Sequence, residues 1–222
     1  DVEPDPGLAG KVAAYSSKLD RELATEVGVT EVALDTSRAS VRSAENAFGN
    51  LIADAMRAAT GADAAITNGG GIRGDTGYQA GRTLTRKDVL TELPFGNRTV
   101  TMRLKGSDLR AALENGVSQV EKGAGRFPHV SGISFAFDGR KPAGSRVSDV
   151  KVAETPLDLG KVYVIAVNDF IARGGDGYDA FKKGVVIVDA SSARLMASQV
   201  IDYVQKNKGV KSRVDGRVRR LD

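Results

Sequence analysis

The chain has no cysteine. That excludes disulfides, thiol nucleophiles and zinc–thiolate centres together. It has one histidine, His129, so no imidazole-rich metal centre forms within it. Tryptophan is absent and aromatics make up only 5% of residues, which is thin for stacking along a nucleic-acid strand. No apolar run approaches the roughly 20 residues of a membrane-spanning helix. Residues 1–6, Asp-Val-Glu-Pro-Asp-Pro, are not a signal peptide. The phosphate loop Gly-x-x-x-x-Gly-Lys-Ser/Thr and the Gly-x-Ser-x-Gly elbow are missing, as is a Gly-x-Gly-x-x-Gly turn in strand–helix context. A Ser–His–Asp triad would have to use His129, which stands near proline without a serine signature, so His129 is expected to be a loop or partly buried residue.

What remains is ordinary globular material: 222 residues, 41% hydrophobic and 27% charged. This is enough chain to bury one sizeable core without staples. The net charge of +4 is mildly basic, with no basic stripe apart from the run Arg213 to Arg220. Phosphate-bearing small molecules suit that charge as well as nucleic acid does.

Apolar spacing predicts an amphipathic helix over 7–27, through Leu8, Val12, Tyr15, Leu19, Leu23 and Val27. A strand is expected over 29–35 and a helix over 45–60 stopped by Gly61. A short buried strand follows at 62–67. Thr85-x-x-Asp88 reads as a capping box. Further strands are expected at 99–104, 133–137, 147–152, 162–167 and 185–188. Further helices are expected at 107–120, capped by Ser107, and at 191–207, capped by Ser191. Residues 121–131 read as loop. Helices and strands mix without strict alternation, so the expected fold class is α+β with a mixed sheet.

Two glycine runs stand out. Asn68-Gly69-Gly70-Gly71-Ile72-Arg73 joins a carboxamide to a guanidinium, and Arg173-Gly174-Gly175-Asp176-Gly177 repeats the style far away. Glycines reach positive φ, and successive amides in such a turn form an anion concavity. The alternative is a tight surface turn with a solvated arginine. Arg38 and Arg42 fall four apart, on one face if that segment is extended. With Arg73 they suit a phosphate. Phe95 and Phe170 are isolated rings in glycine-flanked turns, able to clamp a flat heterocycle. Asp176 could accept from ribose hydroxyls, with Asn68 and Asn97 supplying amide contacts. These are the parts of a nucleotide site.

Residues 45–56 (Glu-Asn-Ala-Phe-Gly-Asn-Leu-Ile-Ala-Asp-Ala-Met), the run Asn68 to Arg73, the turn Leu93-Pro94-Phe95-Gly96-Asn97 and the stretch Asn168 to Tyr178 together resemble the C-terminal domain of the 5′-nucleotidase family. That family includes UDP-sugar hydrolases and 2′,3′-cyclic-nucleotide phosphodiesterases. The resemblance runs in order along essentially the whole chain. It implies a substrate-binding domain at 29–222, preceded by a linker and connector helix at 1–28 whose apolar stripe packs on the domain. The catalytic metallophosphatase domain, with two divalent metal ions and a His–Asp pair, is expected N-terminal to this chain and absent from it. Position by position, Arg42 and Arg73 resemble phosphate-contacting arginines and Arg38 a further one of bacterial members. Asn68 resembles an asparagine near the ribose, and Phe95 and Phe170 the rings that sandwich the base. Asp176 resembles the ribose carboxylate, and Asn97 a position that touches the base in some members. Gly69, Gly70, Gly71, Gly174 and Gly175 would shape the loops. No catalytic residue and no metal ligand is expected in this chain. The implied partners are a nucleotide or nucleoside and the metallophosphatase domain of the same polypeptide, with neither nucleic acid nor a membrane span. The implied location is periplasmic, extracellular or cell-surface. A stand-alone nucleotide-binding module, or a surface domain with a vestigial pocket, remains the alternative.

Overall fold

The computed structural model describes residues 5–222. The acidic, proline-bearing opening therefore lies largely outside the described residues. The order of elements is α1 (Pro6–Leu23), β1 (Glu26–Val29), β2 (Leu34–Asp35), α2 (Ala47–Thr60), β3 (Ala64–Asn68), β4 (Gly77–Tyr78), β5 (Thr83–Thr85) and α3 (Arg86–Glu92). Then come β6 (Thr99–Lys105), α4 (Gly106–Val117), β7 (Pro128–Ser131), β8 (Ile133–Phe137), β9 (Val147–Val152), β10 (Thr155–Pro156) and β11 (Val162–Asn168). Last are α5 (Asp169–Ala172), β12 (Val185–Val188), α6 (Met196–Lys206) and β13 (Val218–Arg220). The fold is α+β, as the mixed pattern implied.

A five-stranded mixed sheet in the order β12-β6-β11-β3-β7 divides the core. Only β3 and β11 within it run parallel. Side chains alternate across a strand, and these strands are apolar on both faces. Ala64, Ile66, Ile165 and Val167 meet α4 and the sheet β10-β9-β8-β13. Ala65 and Ala166 meet α2 and α6 on the other side. Both faces being covered explains why β3 reads as a continuous apolar run rather than an alternating one. α2 contributes Phe48, Leu51, Ile52 and Met56, all buried, each worth about 2 kcal/mol of burial. Its start is held by Asn46, whose Oδ1 accepts from the Phe48 and Gly49 amides at 2.9 and 3.1 Å. The Thr85–Asp88 capping box forms as expected.

Several local expectations need correction. α1 ends at Leu23, and Val27 is the buried residue of β1. The stripe of α1 does not pack on the domain: Leu8, Val12, Tyr15 and Leu19 are 55 to 75% exposed. Neither Ser107 nor Ser191 is a cap, because α4 starts from Lys105 and α6 from Leu195. Residues 128–131, read as loop, form a buried strand antiparallel to β3. No helix among the described residues is long and apolar enough to cross a membrane.

Candidate functional site

Because β3 and β11 are parallel neighbours, Asn68 and Asn168 arrive side by side at their carboxyl ends. That end of a parallel pair is where loops diverge and ligands commonly sit. Asn168 Nδ2 donates to Asn68 Oδ1 at 3.0 Å and to Thr67 Oγ1 at 3.1 Å. Its own Oδ1 accepts from the Ile171 amide at 3.0 Å and so starts α5. Asn68 Nδ2 in turn donates to Asp176 Oδ2 at 2.7 Å. Asp176 has φ +54°, and Asn115 Nδ2 donates to its carbonyl at 3.2 Å. A buried amide chain thus ties the second glycine turn to the first.

The loops beyond these asparagines enclose an open pocket of about 480 Å³. Arg42, Arg73, Asn68, Phe95, Phe170 and Asp176 all line it, together with Asn97, Gly70 and Gly71. The two rings stay out of the core: Phe95 is 60% exposed and Phe170 is 42% exposed. Large apolar groups left half in water beside polar loops are what a stacking surface needs. The Arg73 guanidinium lies over the Phe95 ring, 5.4 Å from its centroid, a cation–π distance.

The arginines gather positive charge. Arg42 is buried, and burial pushes its guanidinium below the usual range, helped by the neighbouring charges of Arg38 and then Arg73. Asp176 is the opposing carboxylate. Arg42 makes one long contact, Nη1 to the Gly123 carbonyl at 3.5 Å, and its Nε has no partner among the described residues. Donor groups left short of acceptors and repelling one another form a place for an anion.

Other details depart from the sequence reading. The Arg38–Arg42 segment is not extended: Ser40–Arg42 is a 3₁₀ turn. Arg42 therefore turns inward while Arg38 stays exposed and does not line the pocket. Nor do Gly69, Gly174 and Gly175 line it. None of Gly69, Gly70 and Gly71 has positive φ. Their amides form no free concavity either, since Gly69 N donates to the Phe127 carbonyl at 2.8 Å and Gly70 N to the Gly125 carbonyl at 2.7 Å. Space is the reason for glycine here: a Cβ on Gly69 would stand 1.9 Å from the Val41 carbonyl oxygen. Gly175 serves the ring instead, for a Cβ there would fall 2.6 Å from Phe170.

Sequence reasoning left Gly125, Asp169 and Arg173 out of the site, although all three line the pocket. Asp169 accepts from Asn97 Nδ2 at 2.9 Å and from Arg173 Nη2 at 3.2 Å. The Asp169–Arg173 spacing of four on a polar turn was a readable signal. Gly125, in the stretch read as loop, carried none. The donor set of the pocket, guanidiniums and amides around two engaged carboxylates, fits an anion and not a metal ion. No group of three potential metal-ligating side chains occurs among the described residues.

Comparison with known proteins agrees in fold and sequence. Over 190 residues, 81% of this chain, it is 40% identical to the trifunctional nucleotide phosphoesterase protein YfkN of Bacillus subtilis (strain 168), of which it covers 13%. It is 31% identical to the human 5′-nucleotidase over 98% of this chain and 41% of that protein. A 5′-nucleotidase precursor from Thermus thermophilus superposes with TM-score 0.86 at 40% identity, covering 99% of this chain and 44% of that one. The chain thus spans less than half the length of each. Residues 26–183 match the family described as 5′-nucleotidase, C-terminal domain. With a match over most of its length and relatives of the same kind along nearly all of it, the chain belongs to the 5′-nucleotidase C-terminal domain family.

Proposed function

We propose that this chain binds the nucleotide substrate of a 5′-nucleotidase-type phosphoesterase, which hydrolyses nucleotides to nucleosides and phosphate. The observation that carries the proposal is the convergence on one pocket of Arg42, Arg73, two half-exposed rings and the Asn68–Asp176 pair. Arg42 and Arg73 hold the phosphate, with Arg38 adding charge from outside. Phe95 and Phe170 hold the base between them. Asp176 binds ribose: Oδ2 is held by Asn68, and Oδ1 receives no hydrogen bond from the described residues. Asn97 is positioned at the base side by Asp169. Binding energy from the base, remote from phosphorus, then orients the ester for reaction.

In this reading residues 29–222 are the substrate-binding domain, and 1–28 lead to a metallophosphatase domain that carries two divalent ions and the chemistry. When bound there, the ions supply the activated water. The residues of this chain bind and orient. A periplasmic, secreted or cell-surface location belongs to the same proposal and rests on the family resemblance.

Chemical-shift mapping with AMP tests the assignment. Perturbations centred on Arg42, Arg73, Phe95, Phe170 and Asp176 are expected, and perturbations clustered elsewhere contradict it. The same sample with AMP and divalent metal should release no phosphate. Metal-dependent release would show that the chain itself catalyses the reaction.

A further inference from the structure

His129, the one histidine, is fully buried on β7 and takes no part in the site as proposed. Its Nε2 lies 2.9 Å from the Val41 carbonyl oxygen. A carbonyl only accepts, so Nε2 carries the proton and donates. Nδ1 has no partner among the described residues, which fits a neutral ring. The ring is closely confined. A Cβ on Gly49 of α2 would come within 2.2 Å of it. Phe127 meets it edge-on at 5.7 Å between centroids. Gly69 lies against the same Val41 carbonyl, where a Cβ would also stand 3.4 Å from His129 Nε2. Three segments distant in sequence therefore meet at one oxygen: the turn bearing Arg42, the glycine run leading to Arg73, and β7.

Arg42 itself is weakly held. Its guanidinium has a single 3.5 Å contact, and the Ser40–Arg42 turn has no side-chain cap. Its place in the pocket is thus set by its backbone, one residue from the Val41 carbonyl. We infer that His129 is a positioning residue for anion binding: its hydrogen bond to Val41 fixes the backbone from which Arg42 enters the pocket. The inference rests on the proposed reading of Arg42 as a phosphate ligand.

Calorimetry with AMP and with adenosine on the wild-type chain, His129→Phe and His129→Gln tests it. Phe fills the space without a donor, while the Gln side-chain amide reaches about as far as Nε2. His129→Phe is expected to bind AMP about tenfold more weakly, a loss of one hydrogen-bond increment, with adenosine affinity unchanged. His129→Gln should restore most of the AMP affinity. Equal weakening of both ligands, or folded His129→Phe with full AMP affinity, overturns the inference. Failure of the underlying reading looks different: the wild-type chain itself would show no preference for AMP over adenosine. An NMR coupling from His129 Nε2–H to the Val41 carbonyl, measured without ligand, is expected as well. A proton on Nδ1 instead would overturn the assignment on its own.

Discussion

Asn68 and Asp176, 108 positions apart, are joined by a 2.7 Å hydrogen bond from Nδ2 to Oδ2. Asn68 is buried at the end of β3, while Asp176 stands in a left-handed turn on a separate loop. The sheet residue thereby aims a loop carboxylate at the pocket. Asn68→Ala should remove that aim and leave Asn168 short of an acceptor. Adenosine affinity is expected to fall about tenfold, near 1.4 kcal/mol, as read by calorimetry. An unchanged affinity would show that Asp176 is held by its turn alone.

Gly175 sits where a Cβ would strike Phe170. Gly175→Ala should push this ring out of the pocket at little cost to stability, within about 0.5 kcal/mol as for other surface changes. Adenosine binding should weaken while the urea midpoint stays put. A fall in both together would mean that the turn, not the ring, is what glycine protects.

Acid should destabilise the fold through His129. Burial pushes its pKa down to about 4, against about 6.5 when unfolded. Between those values the unfolded chain binds a proton that the native one does not. Stability is therefore complete above pH 6.5 and is lost as pH falls towards 4, by about 3 kcal/mol. Glu92 has the opposite sign. Burial raises its pKa above the ordinary value, against hydrogen bonds from Tyr78, Thr36 and the Gly74 amide. The native state then keeps a proton the unfolded one has released, so this part of the stability falls as pH rises above 4.5. Urea titrations between pH 4 and 7 should show a flatter acid limb in His129→Gln than in the wild type. Glu92→Gln should gain on the wild type as pH rises. Identical slopes in all three proteins would contradict both assignments.

α1 should be dispensable for folding, because its apolar stripe faces water. Removal of residues 1–23 is expected to shift the melting temperature by only a few degrees, since little apolar area is lost. Scanning calorimetry of the shortened chain checks this. A large fall would mean that the helix contributes contacts its exposure does not suggest.

Much of this was legible in the chain itself. Apolar spacing located α2, the strands at 99–104 and 162–167, and the buried strand entering the first glycine run. Asn68, Arg73, Phe95, Phe170 and Asp176 of the pocket were nameable because polar groups and lone rings cluster in glycine turns, whereas Gly125, Asp169 and Arg173 were not named. Three things were not legible, each for a physical reason. β7 carries Pro128, His129 and Ser131, polar or breaking residues whose burial is decided by pairing with β3 and not by local preference. Arg42 turns inward because residues 40–42 form a 3₁₀ turn, which reverses the facing expected of an extended segment. Gly69 and Gly70 of the first run serve close approach to Val41 and Gly125 rather than positive φ, and no sequence pattern separates those two uses.

In the proposed reading Arg42 and Arg73 make this pocket a phosphate site. Calorimetric titration of AMP and adenosine into the wild-type chain and Arg42→Gln tests it most directly. The wild type is expected to bind AMP more tightly than adenosine. Arg42→Gln should lose most of that preference, about ten- to a hundredfold for a charge-assisted contact, with adenosine affinity unchanged. Equal affinities in the wild type, or a preference that survives Arg42→Gln intact, would contradict it.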